Sequence, residues 1–261
     1  MNVLFRTIWF CCILMLAASC SRVDTGKLMH DAVECARQGK YAEAAQLTRI
    51  CLDANSQLVD ALLLDSFCRF KEGRSPEEKR LALYNLAKCT RLEPERFDCW
   101  FLYGWALVES AHYKDAVEPL LHADSLLAGK SPHRQKLQML LGRCYLENSL
   151  HDRALSILQP LQIRDPYRQM PELYHALGVA SLQARRPQTA LKFFSSGLKI
   201  APQSTLLLQD MAVATELYGG NPADAKRLYI RLLAGLPQED LERRLAVQKS
   251  IQRTARKAGI R

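Results

Sequence analysis

The sequence has no glycine-rich phosphate loop, no Gly-x-Ser-x-Gly elbow, no Cys-x-x-Cys and no histidine pair spaced for one helix face. Those absences remove the commonest signatures of nucleotide-dependent, serine-hydrolase, zinc and metalloprotease chemistry. Its acids form no recognisable catalytic pair. The six histidines (His30, His112, His122, His133, His151, His175) are scattered over different segments, and the expectation is surface side chains, with no metal and no cofactor. Glycine and proline are modest, at 12 and 11, and no cluster of them forms a linker. No long hydrophobic run occurs either; the one strongly apolar stretch spans about ten residues near the N-terminus, too short to cross a bilayer as a helix. What remains is an ordinary folding composition, 48% hydrophobic and 24% charged over 261 residues, enough to bury a sizeable core.

The charge is one-sided. The formal net charge is +9, and loss of Arg6 with a leader would leave +8. Part of the excess lies after Pro237, where Arg243, Arg244, Lys249, Arg253, Arg256, Lys257 and Arg261 outnumber Glu239, Asp240 and Glu242. A basic end of this kind is either a solvated helix face or a surface for an acidic partner or anionic lipid. Export, argued next, makes nucleic acid the least expected partner.

Residues 1–19 read as a leader: Arg6, then an apolar run from Ile8, then Ala17, Ala18 and Ser19 before Cys20. Ala17-Ala18-Ser19-Cys20 resembles the cleavage box of bacterial lipoproteins, with Leu16 one place further from the cysteine than the box prefers. The resemblance implies that Cys20 becomes the acylated first residue, and several acyl chains on one residue hold a protein more firmly than a single reversible chain. Ser21, not aspartate, follows the cysteine, which by the family's sorting rule implies the outer membrane. An ordinary secretory cut or a retained helix are the alternatives.

Beyond residue 24 the chain repeats itself. Six alanines are each followed twelve residues later by a residue that ends a helix: Ala44 and Ser56, Ala82 and Pro94, Ala116 and Ala128, Ala154 and Pro166, Ala190 and Pro202, Ala225 and Pro237. Proline stops a helix by lacking the N–H and by clashing with the preceding turn. Upstream of most of these alanines stands another small residue: Ala32, Gly104, Gly142, Gly178 and Ala212. Two helices that cross closely need a small side chain on each. Large apolar residues then flank the crossing, Trp100, Tyr103, Leu107, Leu120 and Ala123 in the third pair and Tyr174, Leu177, Phe194 and Leu198 in the fifth. One such pair cannot bury both faces, so the pairs must stack.

The quoted residues resemble the tetratricopeptide repeat family. Trp100-x-x-Tyr103-Gly104-x-x-Leu107 with Tyr113-x-x-Ala116, Tyr174-x-x-Leu177-Gly178 with Ala190 and Phe194, and Gly39-x-Tyr41-x-x-Ala44 carry the likeness. It implies an all-α fold: a right-handed α-solenoid of about six helix pairs over residues 25–237, after a tether at 20–24 and before a basic capping helix and tail at 238–261. The six alanines lie 38, 34, 38, 36 and 35 residues apart, against the family's 34. The extra residues are expected as longer surface turns around Gly73-Arg74-Ser75-Pro76 and Gly129-Lys130-Ser131-Pro132. Asp31 and Asp65 occupy places where the family has leucine, and Leu241, Leu245, Val247 and Ile251 are expected to cover the last pair.

Six cysteines follow the leader and Cys20: Cys35, Cys51, Cys68, Cys89, Cys99 and Cys144. Cys51 and Cys89 stand where Ala123 stands in the third repeat, so buried free thiols acting as small hydrophobes are one reading; one or two inter-helix disulfides are the other. In this family the first helices of successive pairs line a groove for a peptide or partner helix. By phase that groove would show Met29, Phe101, Trp105, Met139, Arg143, His175, Val179 and Asp210, although Phe101 and Trp105 read equally as core. Met and aromatic residues in place of lysine and asparagine argue against a carboxylate clamp and for an amphipathic segment. The expected function is a non-enzymatic protein-binding adaptor, anchored by Cys20 in a bacterial envelope and facing the periplasm. The alternatives are a soluble exported adaptor, a module binding anionic lipid or polysaccharide through the tail, and an accessory subunit of an envelope enzyme.

Overall fold

The computed structural model describes residues 24–259 other than 74, 130 and 220. The leader, Cys20 and Arg261 lie outside the described residues. Among the described residues there are thirteen α-helices and no strand. They are α1 (Thr25–Arg37), α2 (Tyr41–Ala54), α3 (Val59–Glu72), α4 (Pro76–Leu92), α5 (Phe97–Glu109), α6 (Tyr113–Ser125) and α7 (Pro132–Glu147). The chain continues through α8 (His151–Leu158), α9 (Pro171–Gln183), α10 (Pro187–Ile200), α11 (Thr205–Tyr218), α12 (Pro222–Gly235) and α13 (Leu241–Lys257). Contacts divide the chain into two compact units, Met1–Ala106 and Leu107–Arg261, with the boundary inside α5.

In the first unit α1 packs on α2, α2 on α3 and α3 on α4. Ala32, Ala44 and Ala82 are fully buried, as close helix crossing requires. The second pair shows no small residue twelve places before its alanine; Ser66, sixteen before, is fully buried. The four-residue shift has a cause. The extra residues do not lengthen the turn at Gly73-Arg74-Ser75 but add a turn to α4, which has 17 residues. Ser75 caps it by accepting from the Glu78 N–H at 3.3 Å, Pro76 occupies the first turn, and Glu77 and Glu78 favour the positive helix end. The second insertion is divided: six residues separate α6 from α7, and α7 itself runs to 16.

Asp65, in a leucine place, is almost completely buried and receives the Arg69 Nε at 2.6 Å. Arg69 reaches Glu78 on α4 at 3.3 Å. A buried carboxylate is tolerable only with such a partner, so a charged pair bridging α3 and α4 stands where the repeat would use apolar contact.

In the second unit α7 to α13 stack in order. Ala116, Ala154, Ala190, Ala212 and Ala225 are fully buried. A side chain on Gly142 would overlap Leu158, and one on Gly178 would overlap the Phe194 ring. α8 ends at Leu158, well before Pro166, because Pro160 two residues on cannot donate to the helix; a 3-10 turn, Gln159–Ile163, follows. On α13 the buried face runs through Val247, Ile251 and Thr254. Leu241 and Leu245 fall outside that face and are 68% and 56% exposed, so they do not cover the last pair.

The turns inside pairs one, three, four and five share one device. Gly39, Ala111, Ser149 and Arg185 have φ of 78°, 60°, 60° and 58°. The residue after each donates its N–H back five positions, Lys40 to Cys35, His112 to Leu107, Leu150 to Tyr145 and Arg186 to Ser181, at 2.7 to 2.9 Å. This is the Schellman closure, which satisfies a carbonyl at the helix end. Three of the four positions are exposed and not glycine, so the left-handed residue is held by the helix-end hydrogen bonds around it.

Candidate partner-binding clefts

In each unit an apolar-floored cleft opens between the first helices of successive pairs. In the first unit Met29 and Val33 of α1, Leu63, Leu64 and Phe67 of α3, and Leu102 of α5 line a cleft of about 670 Å3. Its rim is charged: Arg37 and Glu34 on one side, Asp60, Arg96 and Asp98 on the other. Arg96 is fixed there by Asp60 at 2.6 Å and Glu93 at 3.0 Å. An apolar floor with a fixed polar rim is what an amphipathic segment fits.

In the second unit Met139, Leu140 and Leu146 of α7 face Ala176 and Val179 of α9 across a cleft of about 380 Å3. Arg143, Glu147, Glu172 and His175 supply its polar groups. Arg143 is braced against the Tyr113 ring, 5.6 Å from its centre, and donates to the Tyr113 hydroxyl at 3.3 Å. His175 Nε2 lies 2.7 Å from Asp210 Oδ2, which ties α9 to α11 at the cleft edge. His175 also packs against Phe194, 6.5 Å between ring centres, so the cleft wall rests on the core.

Of the residues placed in one groove by sequence phase, Met139, Arg143, His175 and Val179 line this cleft together, and Asp210 joins them through His175. Met29 belongs to the first unit's cleft. Phe101 is buried and stacks on Phe97 at 5.3 Å, and Trp105 packs against Phe67 and Phe70 at 5.6 and 5.4 Å, so both serve packing in the first unit. Sequence phase missed Val33, Leu63, Leu64 and Phe67. The missed signal was the apolar spacing of α1 and α3, obscured by Asp65 and by the four-residue shift.

The basic tail is largely engaged within its own unit. Arg253 and Lys257 bind the carboxylate of Glu216 on α11, at 2.7 and 3.0 Å. Arg244 donates to the carbonyls of Leu233 and Leu236, and Arg243 to Gln209. These cations dock α13 on its own unit. No metal-holding group of three or more His, Cys, Asp or Glu occurs among the described residues, and no described helix is long and apolar enough to cross a membrane.

No protein-family model and no curated protein sequence matches the chain. Solved structures do match it in fold. YrrB, reported as a TPR protein with an unusual peptide-binding site, aligns with a TM-score of 0.60 at 19% identity over 75% of this chain and 95% of its own. MamA from Desulfovibrio magneticus RS-1 aligns at 0.59 and 18% identity, over 70% and 99%. The C-terminal part of a TPR repeat-containing protein from Cytophaga hutchinsonii aligns at 0.61 and 16% identity, over 79% and 78%. The chain therefore has the tetratricopeptide fold, an all-α stack of helix pairs.

Proposed function

We propose that this chain is a non-enzymatic scaffold that holds an amphipathic segment of a partner protein, and that acylated Cys20 tethers it to a bacterial envelope membrane, the outer one, facing the periplasm. The observation that carries the binding half is the α7–α9 cleft, where Met139 and Val179 form an accessible apolar floor between the braced polar groups of Arg143 and His175. Methionine suits such a floor because its unbranched, polarisable side chain adapts to the ligand surface. A peptide-binding site in the structurally similar YrrB supports this use of the fold. The tether rests on Ala17-Ala18-Ser19-Cys20.

A photoreactive residue at position 179, on the cleft floor, is expected to trap a partner in intact cells, and one at Lys192, on α10, is not. Met139→Asp should weaken the captured interaction about tenfold or more, the cost of putting a charge where an apolar anchor of ~1.5 kcal/mol was seated. Equal trapping from both positions would remove the cleft from the proposal. Membrane fractionation tests the tether separately. Wild type should sediment with membranes and carry acyl mass on Cys20, while Cys20→Ala should be soluble; both forms soluble and unmodified would mean a diffusible adaptor without the anchor.

A further inference from the structure

Cys89 lies in the last turn of α4 and Cys99 in the first turn of α5. Between them the chain makes a tight corner, with the Arg96 N–H donating to Glu93 at 3.1 Å and the Cys99 N–H donating to Arg96 at 3.2 Å. Helices joined by so short a turn fold back on each other, which brings the end of one beside the start of the next. Both cysteines are fully buried in one apolar group with Val59, Leu62 and Leu86. Each thiol is the leading influence on the other, which puts the two sulfurs side by side in that group. The other buried cysteines are placed differently: Cys51 approaches the Thr25 carbonyl at 3.8 Å, and burial pushes the thiols of Cys68 and Cys144 up to about 12 and about 11.

We propose that Cys89 and Cys99 are a dithiol that closes to a disulfide, with a small-molecule disulfide as oxidant, clamping the corner that presents Arg96 and Asp98 to the first unit's cleft. The two sulfurs are not equivalent. In the packed corner the neighbouring Cys99 thiol and burial raise that of Cys89, while Cys89 and the nearby Arg96 guanidinium hold the Cys99 thiol below its ordinary value. Once the corner opens, the Cys99 thiolate displaces one thiolate from the oxidant and forms a mixed disulfide. Cys89 then loses its proton and attacks Cys99 Sγ, releasing the second thiolate, so two protein thiols are oxidised and one oxidant disulfide is reduced to two thiols. Burial keeps the oxidant out of the packed core, so closure belongs to folding or to a transient opening of the corner.

The full chain should be refolded from denaturant with oxidised glutathione, alkylated, and cut with trypsin. Cleavage after Lys88, Arg91, Arg96 and Lys114 separates the segment 89–91 from the segment 97–114. The expected result is those two segments recovered as one species, lighter than the sum of the free thiols by two hydrogens and split by reductant. Oxidation should also raise the unfolding midpoint by about 5 °C, as closure of a short loop does, in wild type but in neither Cys89→Ala nor Cys99→Ala. Both segments recovered separately in alkylated form, or either cysteine joined to a different one, would overturn the proposal. The peptide map is independent of the binding role of the cleft, so failure of one reading leaves the other standing.

Discussion

Gly178→Ala should destabilise the second unit, although alanine is the better helix former. On an unconstrained helix the change gains about 1 kcal/mol. Here the new Cβ would overlap the Phe194 ring, and Phe194 is the largest fully buried side chain among the described residues, in one buried group with Leu207, Leu208 and Ala190. A packed core yields by off-rotamer side chains and helix displacement, costing ~1–3 kcal/mol, so the net loss reaches up to ~2 kcal/mol. Phe194→Ala alone should cost ~3–5 kcal/mol through lost burial and the cavity left behind. The diagnostic quantity is the coupling. In the Phe194→Ala background the added methyl meets space, so Gly178→Ala should become neutral or stabilising. Urea unfolding followed by helical circular dichroism measures all four chains. Simple additivity would mean that the glycine is not there to admit the ring. Because His175 rests on Phe194, partner binding at the α7–α9 cleft should weaken in parallel with stability.

That cycle also indicates why the fold was legible. Small residues at helix crossings are dictated by interaxial distance, a constraint written into single positions. Ala44, Ala82, Ala116, Ala154, Ala190 and Ala225 could thus be read by spacing, and all six are fully buried. Insertions were harder, since spacing gives their length and not their form. The four residues near Gly73 became an added turn of α4 because Ser75, Pro76 and the first-turn acids form a strong helix start. Ala111, Ser149 and Arg185 carry no glycine signal, and their left-handed conformations follow from the helix-end hydrogen bonds that surround them.

The clefts were legible in part. Met139, Arg143, His175 and Val179 are in phase because α7 and α9 are uninterrupted helices of neighbouring pairs. The sequence could not separate Phe101 and Trp105 from them, since an aromatic residue at a groove phase serves equally as core; only the stacking partners Phe97, Phe67 and Phe70 decide it. Leu241 and Leu245 were misplaced for a related reason. The face of α13 that turns inward is set by ion pairs from Arg253 and Lys257 to a residue 37 or more positions away, which no local period encodes.

That residue, Glu216, makes the docking of α13 acid-sensitive. Its side chain is 6% exposed and accepts from Arg253 through both oxygens at 2.7 Å, from Lys257 at 3.0 Å and from the Tyr229 hydroxyl at 3.0 Å. These donors, Arg253 foremost, hold the carboxyl at about 2, against an ordinary 4.5; burial and the same contact push the Tyr229 hydroxyl up to about 12. A carboxyl depressed in the folded state stabilises fully above its unfolded value, and that stability is lost as pH falls from about 4.5 toward 2. The depression corresponds to about 3 kcal/mol, and because Arg253 and Lys257 are half exposed, water screening reduces the expected effect to ~2 kcal/mol. After correction for the intrinsic chemistry, amide exchange in α13 should therefore be ~30-fold faster at pH 2.5 than at pH 6. Glu216→Gln keeps the shape and removes the charge, so its α13 should exchange fast at both values and show little pH dependence. A wild type as flat as the variant would place the hold on α13 in Val247 and Ile251 alone. A difference between them makes the cap an electrostatic latch on the last helix pair, whose apolar edge at Leu232 and Leu236 is uncovered when the latch opens.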